Sequence, residues 1–448
     1  MPVLYTSHRA IALMVIFVLF VFPFNEASSA TEGPASLIPT PHSPQGYHLG
    51  HEQQVSTPIT PTDPDRFRPD SAYDAQNGRS LVVWHQTYPS GHDQEVYGQL
   101  VDVNGSRYGA QIVISSGAHD RRLPAVAYNP TNHEYLVVYM YDVNGDGKKF
   151  DIRGQRIGPN GALIGSYIQV FSETNTTFWS PRIAWNSQRN EYMVVFGEVA
   201  QDTQIPHSIR WQILNGVGAR QTFGFVSTNG YPTNPDINFD PVNHNYLIVW
   251  NFLNTSGNNA IEAELRNSSG DYVRSILVYG STTNESLYPR VSSSVGLFFT
   301  VVWEYVISNQ DHDIYNALVT PDATTVIPAP LVQGDTNETT VDVAGSSDRF
   351  EYMVTYQRAD ANGSKIYMLP VSGSLPKEDL EICNTYLFAN CALPSIEFGG
   401  STYLNTYIAY QYTPNGSTKS QPSIPATTQD VFDRPFYTAA LFLPLVMN

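Results

Sequence analysis

The chain of 448 residues carries 41 acidic against 24 basic side chains, a formal charge of -17. That balance excludes nucleic acid and anionic membrane surfaces as partners, because both require a basic face. With 42% hydrophobic and 12% aromatic residues the chain has material for a large core, and its middle is not of disordered composition.

Residues 1–30 read as a signal peptide: a short basic start (His8, Arg9), an apolar run from Ile11 to Phe24, and a small-residue end, Ala27-Ser28-Ser29-Ala30. A membrane anchor is the alternative, but the run, interrupted by Pro23, is short for a bilayer span of about 20 residues. Residues 31–66 contain Pro34, Pro39, Pro41, Pro44, Pro58, Pro61 and Pro64 and read as an extended spacer. Within it, Glu52-Gln53-Gln54-Val55-Ser56 is a strand-like run.

From 67 to 412 the chain repeats itself. Pro69, Pro124, Pro181, Pro235, Pro289, Val341 and Pro394 mark the same point in successive copies, at intervals of 55, 57, 54, 54, 52 and 53 residues. Each anchor is followed by strand A, as in Ala125 to Asn129, and then by a turn such as Asn129-Pro130-Thr131-Asn132, whose residues preset or tolerate turn dihedrals. Strand B is apolar at every position and closes on an aromatic: Leu81-Val82-Val83-Trp84, Leu136-Val137-Val138-Tyr139, Met193-Val194-Val195-Phe196 and Leu247-Ile248-Val249-Trp250. Such a strand must be covered on both faces. Strand C carries a recurrent aliphatic residue, as in Asp151-Ile152-Arg153-Gly154-Gln155. Strand D (Gln111 to Ser115, Tyr167 to Ser172, Ser275 to Tyr279) is more polar, as an outer edge would be. Four short strands per repeat predict an all-β fold: a seven-bladed β-propeller of four-stranded antiparallel blades with flanking Pro-rich tails.

The seventh copy has strands A and B but then gives way to linker composition over 413–433, so the N-terminal segment is expected to complete the last blade. The tail, 434–448, is apolar and too short to span a bilayer. It reads equally as an envelope-attachment ending or as an extra strand on the last blade. The two cysteines, Cys383 and Cys391, suit a disulfide in an oxidising compartment, with buried free thiols the alternative.

The repeat units resemble those of exported bacterial β-propeller proteins, with the pattern P-x-[VI]-A-[YW]-N... Y-L-V-V-[WY]... D-I-x-G-Q-[RL]. Copies two and three match best. Later copies depart from it: Val341 replaces the proline, Gly345 the strand A aromatic, and Lys365-Ile366-Tyr367-Met368 lacks the Gly-Gln. The resemblance implies a fold and an extracellular setting, and it transfers no catalytic residue.

Candidate sites are few. The position after each anchor is charged in Asp70, Arg182, Asp236, Arg290 and Asp342, and Glu397 stands two residues further along its copy. These residues predict either a channel-mouth site for a polar ligand or cation, or interblade ion pairs that pin strand ends. Asp142-Val143-Asn144-Gly145-Asp146-Gly147 resembles the front of calcium-binding loops, with Asp142, Asn144, Asp146 and Asp151 as ligands of a structural calcium. Arg153 occupies the position where an EF-hand has its bidentate Glu, so a metal-free hairpin is the alternative. His133 and His244 share one turn position and read as repeat grammar. Eight Asn-x-Ser/Thr sequons fall mostly in turns, where Asn is favoured anyway. The reading is an exported, monomeric, non-catalytic protein that binds an extracellular glycan or protein. The competing class is a glycan-active enzyme with channel carboxylates as acid and base.

Overall fold

The computed structural model describes residues 47–49, 53–55, 65–87, 93–102, 105–200, 205–226, 230–347, 350–360, 363–373, 375–376, 378–383, 389–399, 405–414 and 430–438. The signal-peptide segment 1–30 lies outside them. The described residues contain no helix and build antiparallel meander sheets. Four sheets have four strands each in sequence order, beginning with Asp65–Asp74, Arg121–Asn129, Thr176–Asn186 and Thr233–Asp240. A nine-stranded sheet contains two further meanders, which start at Glu285–Ser294 and Asn337–Gly345. A single parallel pair, His312 with Asn337, joins them.

The last sheet draws on both ends of the chain. Its strands Ala389–Gly399 and Asn405–Pro414 are followed by Asp430–Thr438, which pairs in turn with Tyr47–Leu49 and Gln53–Gln54. The stretch read as linker, 413–433, therefore has both of its ends in strands, and 415–429 lie outside the described residues. Of the apolar tail, residues 434–438 continue the third strand of this sheet. Linker-like composition between two strands concealed that pairing.

Strand B explains why the sheets stack. Along Glu134–Asp142, Leu136 and Val138 enter one core with Tyr192, Val194 and Phe196 of the following sheet, while Tyr135, Val137 and Tyr139 enter another with Leu81 and Val83 of the preceding one. Successive side chains point to opposite faces, so an uninterrupted apolar run buries both. Each large side chain so buried contributes about 1.5–3 kcal/mol. A corresponding core joins Val55 to Val82 and Trp84, tying the N-terminal segment to the first sheet. The first strands of consecutive sheets pack side by side, and Ala389–Gly399 packs against Asp65–Asp74.

The glutamine of strand C is architectural. Gln99, Gln155 and Gln212 each donate Nε2 to the carbonyl of the next residue and to a strand D carbonyl, at 2.8–3.1 Å. They supply the donor that the irregular C–D ladder lacks.

Candidate functional site: the channel mouth

Strand A does not begin at the anchor, as the sequence pattern suggested, but runs through it with a bulge. In the first sheet Phe67 pairs with His85 and Asp70 with Val83, leaving Arg68 and Pro69 opposite Trp84 alone. The same two-against-one step recurs opposite Tyr139, Phe196, Trp250, Trp303, Tyr356 and Tyr410. The two strongest signals in the repeat, the proline and the closing aromatic, are thus two sides of one bulge. A bulged residue makes no ladder bond, so proline is tolerated there. Thr340, before Val341, shows that the bulge forms without it.

The residue before every anchor is left-handed: Arg68, Leu123, Ser180, Asn234, Tyr288, Thr340 and Leu393 have φ between 49° and 54°. Such backbone costs on the order of 1–3 kcal/mol per non-glycine residue and persists only where its surroundings impose it. Here it turns all seven of these residues to one place, the wall of a cavity of about 400 Å³ at the anchor end of the inner strands. Trp179, Glu304 and the charged residues Asp70, Arg182, Arg290 and Asp342 also line it. Sequence reasoning missed this ring because its members share no chemistry. The available signal was their phase, one residue ahead of each anchor, where an X-Pro step would ordinarily be extended.

The charged positions after the anchors are brought together, in a role between the two expected. Asp70 Oδ2 accepts the Val126 N–H at 2.9 Å, Asp236 Oδ2 the Val291 N–H at 2.8 Å, and Asp342 Oδ2 the Ile396 N–H at 2.9 Å. In each case a carboxylate on one inner strand holds the backbone of the next. Ser395 Oγ donates to Asp70 Oδ1 at 3.3 Å across 325 residues of sequence. Two positions further on the link repeats, with Asn238 Oδ1 accepting the Ser293 N–H at 3.1 Å and Ser292 Oγ the Gly345 N–H at 2.9 Å. Among the described residues the one ion pair in the ring is loose: Arg182 Nε stands 3.8 Å from Asp236 Oδ1. Glu397 lies on the last inner strand, opposite Tyr407, and its side chain lies outside the described residues. Gly345 departs from the repeat for a steric reason, since a Cβ there would meet Ser293 O at 2.1 Å.

Burial dominates the electrostatics of the ring. Loss of water pushes Asp342 up to about 7 against the opposing pull of Arg290 and the Ile396 N–H, and pushes Asp70 upward likewise. Arg290 is held below the usual guanidinium range by burial first and by Arg182 second. Glu304 at the rim is already engaged, accepting the Thr340 N–H at 2.7 Å.

The remaining candidates lie elsewhere. Asp142 is buried and its carboxylate accepts the N–H groups of Asn144, Gly145 and Gly147, while Asp146 accepts that of Lys148. Asp151 sits on strand C, opposite Tyr141. Among the described residues no three His, Cys, Asp or Glu side chains form a metal-holding group. The loop is held by its own Asx-type turn instead, so these residues do not fit a calcium cage. His133 and His244 have φ of 55° and 60° in equivalent turns. His85 is buried beside the first bulge, and burial, with Arg68 and Arg122 nearby, lowers it to about 3. Cys383 and Cys391 are disulfide-bonded and buried between the last two sheets.

No family model and no curated protein matches the chain. Among solved structures it is similar to a protein of unknown function from Dyadobacter fermentans, with TM-score 0.51 and 8% identity over 88% of this chain and 100% of the other. It is also similar to a phage phi92 endosialidase (TM-score 0.46, 9% identity, 89% of this chain and 71% of that one). A third is the β-propeller domain of the trilobed protease of Pyrococcus furiosus (TM-score 0.44, 9% identity, 82% and 95%). The first supports the fold, and none bears on activity. Inner strands packed side by side, each leading outward into an antiparallel meander, define an all-β protein of the β-propeller kind.

Proposed function

We propose that the repeats form a closed seven-bladed propeller, exported and monomeric, which binds an extracellular glycan at the anchor-end mouth without catalysis. Three features support closure. They are the Ser395 to Asp70 hydrogen bond, the packing of Ala389–Gly399 on Asp65–Asp74, and a last sheet assembled from both chain ends. Closure of that kind removes exposed sheet edges.

The observation that carries the binding reading is the seven-membered left-handed ring. One rigid device, repeated without variation in backbone, presents seven different positions of Arg, Leu, Ser, Asn, Tyr and Thr to a single cavity. Constant frame with variable face is the arrangement of a recognition surface. The channel carboxylates, by contrast, are engaged with neighbouring backbone N–H groups, which is a structural use.

A second reading is favoured by one observation. Asp342, pushed up to about 7, is suited to donate a proton at neutral pH, as the acid of a glycosidase does. A glycan array run in parallel with hydrolysis assays decides between them. The binding reading expects retention of glycans without turnover. Turnover that disappears in folded Asp236→Asn and Asp342→Asn variants would replace it with the enzymatic one.

A further inference from the structure

The mouth holds more hydrogen-bond donors than the described residues use. Each guanidinium offers five N–H groups and accepts nothing. Arg182 Nε has no hydrogen-bond partner among the described residues, its nearest carboxylate oxygen being 3.8 Å away. Arg290 donates Nη1 to the carbonyl of its own neighbour, Pro289, at 2.9 Å. Arg68 has no ion-pair partner among the described residues, and the charge acting most strongly on it is that of Arg182, a like charge. Three cations from three different sheets therefore share one cavity. The acids beside them, Asp70 and Asp342 in the cavity lining and Asp236 next to Arg182, turn an oxygen each to the neighbouring strand.

We propose that Arg68, Arg182 and Arg290 make this mouth a receptor for a carboxylate, carried by an acidic sugar whose ring lies on the exposed face of Tyr288. The sugar rests on the glycan reading above; the carboxylate rests on the arginines alone. Guanidinium and carboxylate are planar and pair through two parallel hydrogen bonds, and such pairing is strong where water is excluded. Asp70 and Asp342 share the cavity and oppose an anion wherever they are ionised, so a single negative charge suits the site better than a phosphate dianion. Tyr288 is 45% exposed and stands at the rim on the residue before Arg290's anchor. It offers an apolar ring face beside the cations, and Trp179 lines the same cavity.

The test is calorimetric titration of the full chain with a glucuronate-terminated oligosaccharide, its glucose-terminated counterpart, benzoate and sulfate. The proposal expects the acidic sugar to bind at least tenfold tighter than the neutral one. Arg68→Gln, at the rim, should abolish that preference without unfolding the protein, and Arg182→Gln should do the same where it remains folded. Benzoate bound and sensitive to Arg68→Gln, with neither sugar bound, upholds the carboxylate receptor and overturns the glycan reading. Both sugars bound equally, and both weakened by Tyr288→Ala, overturns the carboxylate receptor and leaves the glycan reading standing. Sulfate bound more tightly than either carboxylate, or no ligand bound at all, also overturns the receptor.

Discussion

Replacing Asp236 by alanine separates a structural from a chemical role for the channel acids. Its Oδ2 accepts the Val291 N–H at 2.8 Å, and its side chain is 13% exposed. A hydrogen bond to a charged group contributes about 1.5–3 kcal/mol, and the loose, partly solvated pair with Arg182 adds about 0–1 kcal/mol. Asp236→Ala should therefore weaken the joint between the fourth and fifth sheets by about 2–3 kcal/mol, since it leaves a buried N–H unmatched. Asp236→Asn keeps an oxygen acceptor and should lose about 1 kcal/mol. Hydrogen exchange resolved to the Val291 amide reads this directly: at 1.4 kcal/mol per factor of ten, protection falls roughly thirty-fold or more in the alanine variant and roughly five-fold in the asparagine one. The Val126 amide, held by Asp70, is the internal control and should be unchanged. Unaltered protection of Val291 in Asp236→Ala, or an equal loss at Val126, would refute the proposed link.

Two further outcomes follow from the same ring. Asp342, raised to about 7 first by burial, binds its proton more tightly folded than unfolded. Its contribution to stability is thus full below about pH 4 and lost as pH rises through 7. Thermal midpoints of wild type should fall between pH 5 and pH 8 relative to Asp342→Asn, by an amount equivalent to about 1–2 kcal/mol once water in the channel is allowed for; parallel curves would contradict this. Gly197→Ala would put a Cβ 2.3 Å from Trp179 Nε1. That substitution should move the indole out of the cavity wall and change its fluorescence and any ligand affinity at the mouth, with unchanged emission the contrary result.

Much of the fold could be read from the chain because its signals are local and repeated. The run Leu136-Val137-Val138-Tyr139 must hide both faces, and the Asn129 turn follows from side-chain bonds to the N–H groups of Thr131 and Asn132. The third strand of the last sheet, Asp430–Thr438, was not legible, because pairing with a partner beyond 415–429 leaves no periodic trace. The charged ring was located, but its bonding was not. Asp70, Asp236 and Asp342 hold backbone groups, which have no sequence signature, and no ion pairing among side chains was needed to explain their placement. The ring of pre-anchor residues was missed for a different reason. Arg68, Ser180 and Tyr288 share only a dihedral, and left-handed backbone ahead of a proline runs against local preference, so it becomes visible only in the pairing register, where two residues face one aromatic.

Binding at the mouth requires sheets arranged about one axis with a single ring of left-handed residues at one end. An experimental density map viewed along the channel tests that most directly. The prediction is seven sheets around one opening, with Ser395 against Asp70 and the seven residues that precede the anchors lining it. Sheets that leave a gap between Ala389–Gly399 and Asp65–Asp74, or pre-anchor residues facing away from the axis, would contradict it.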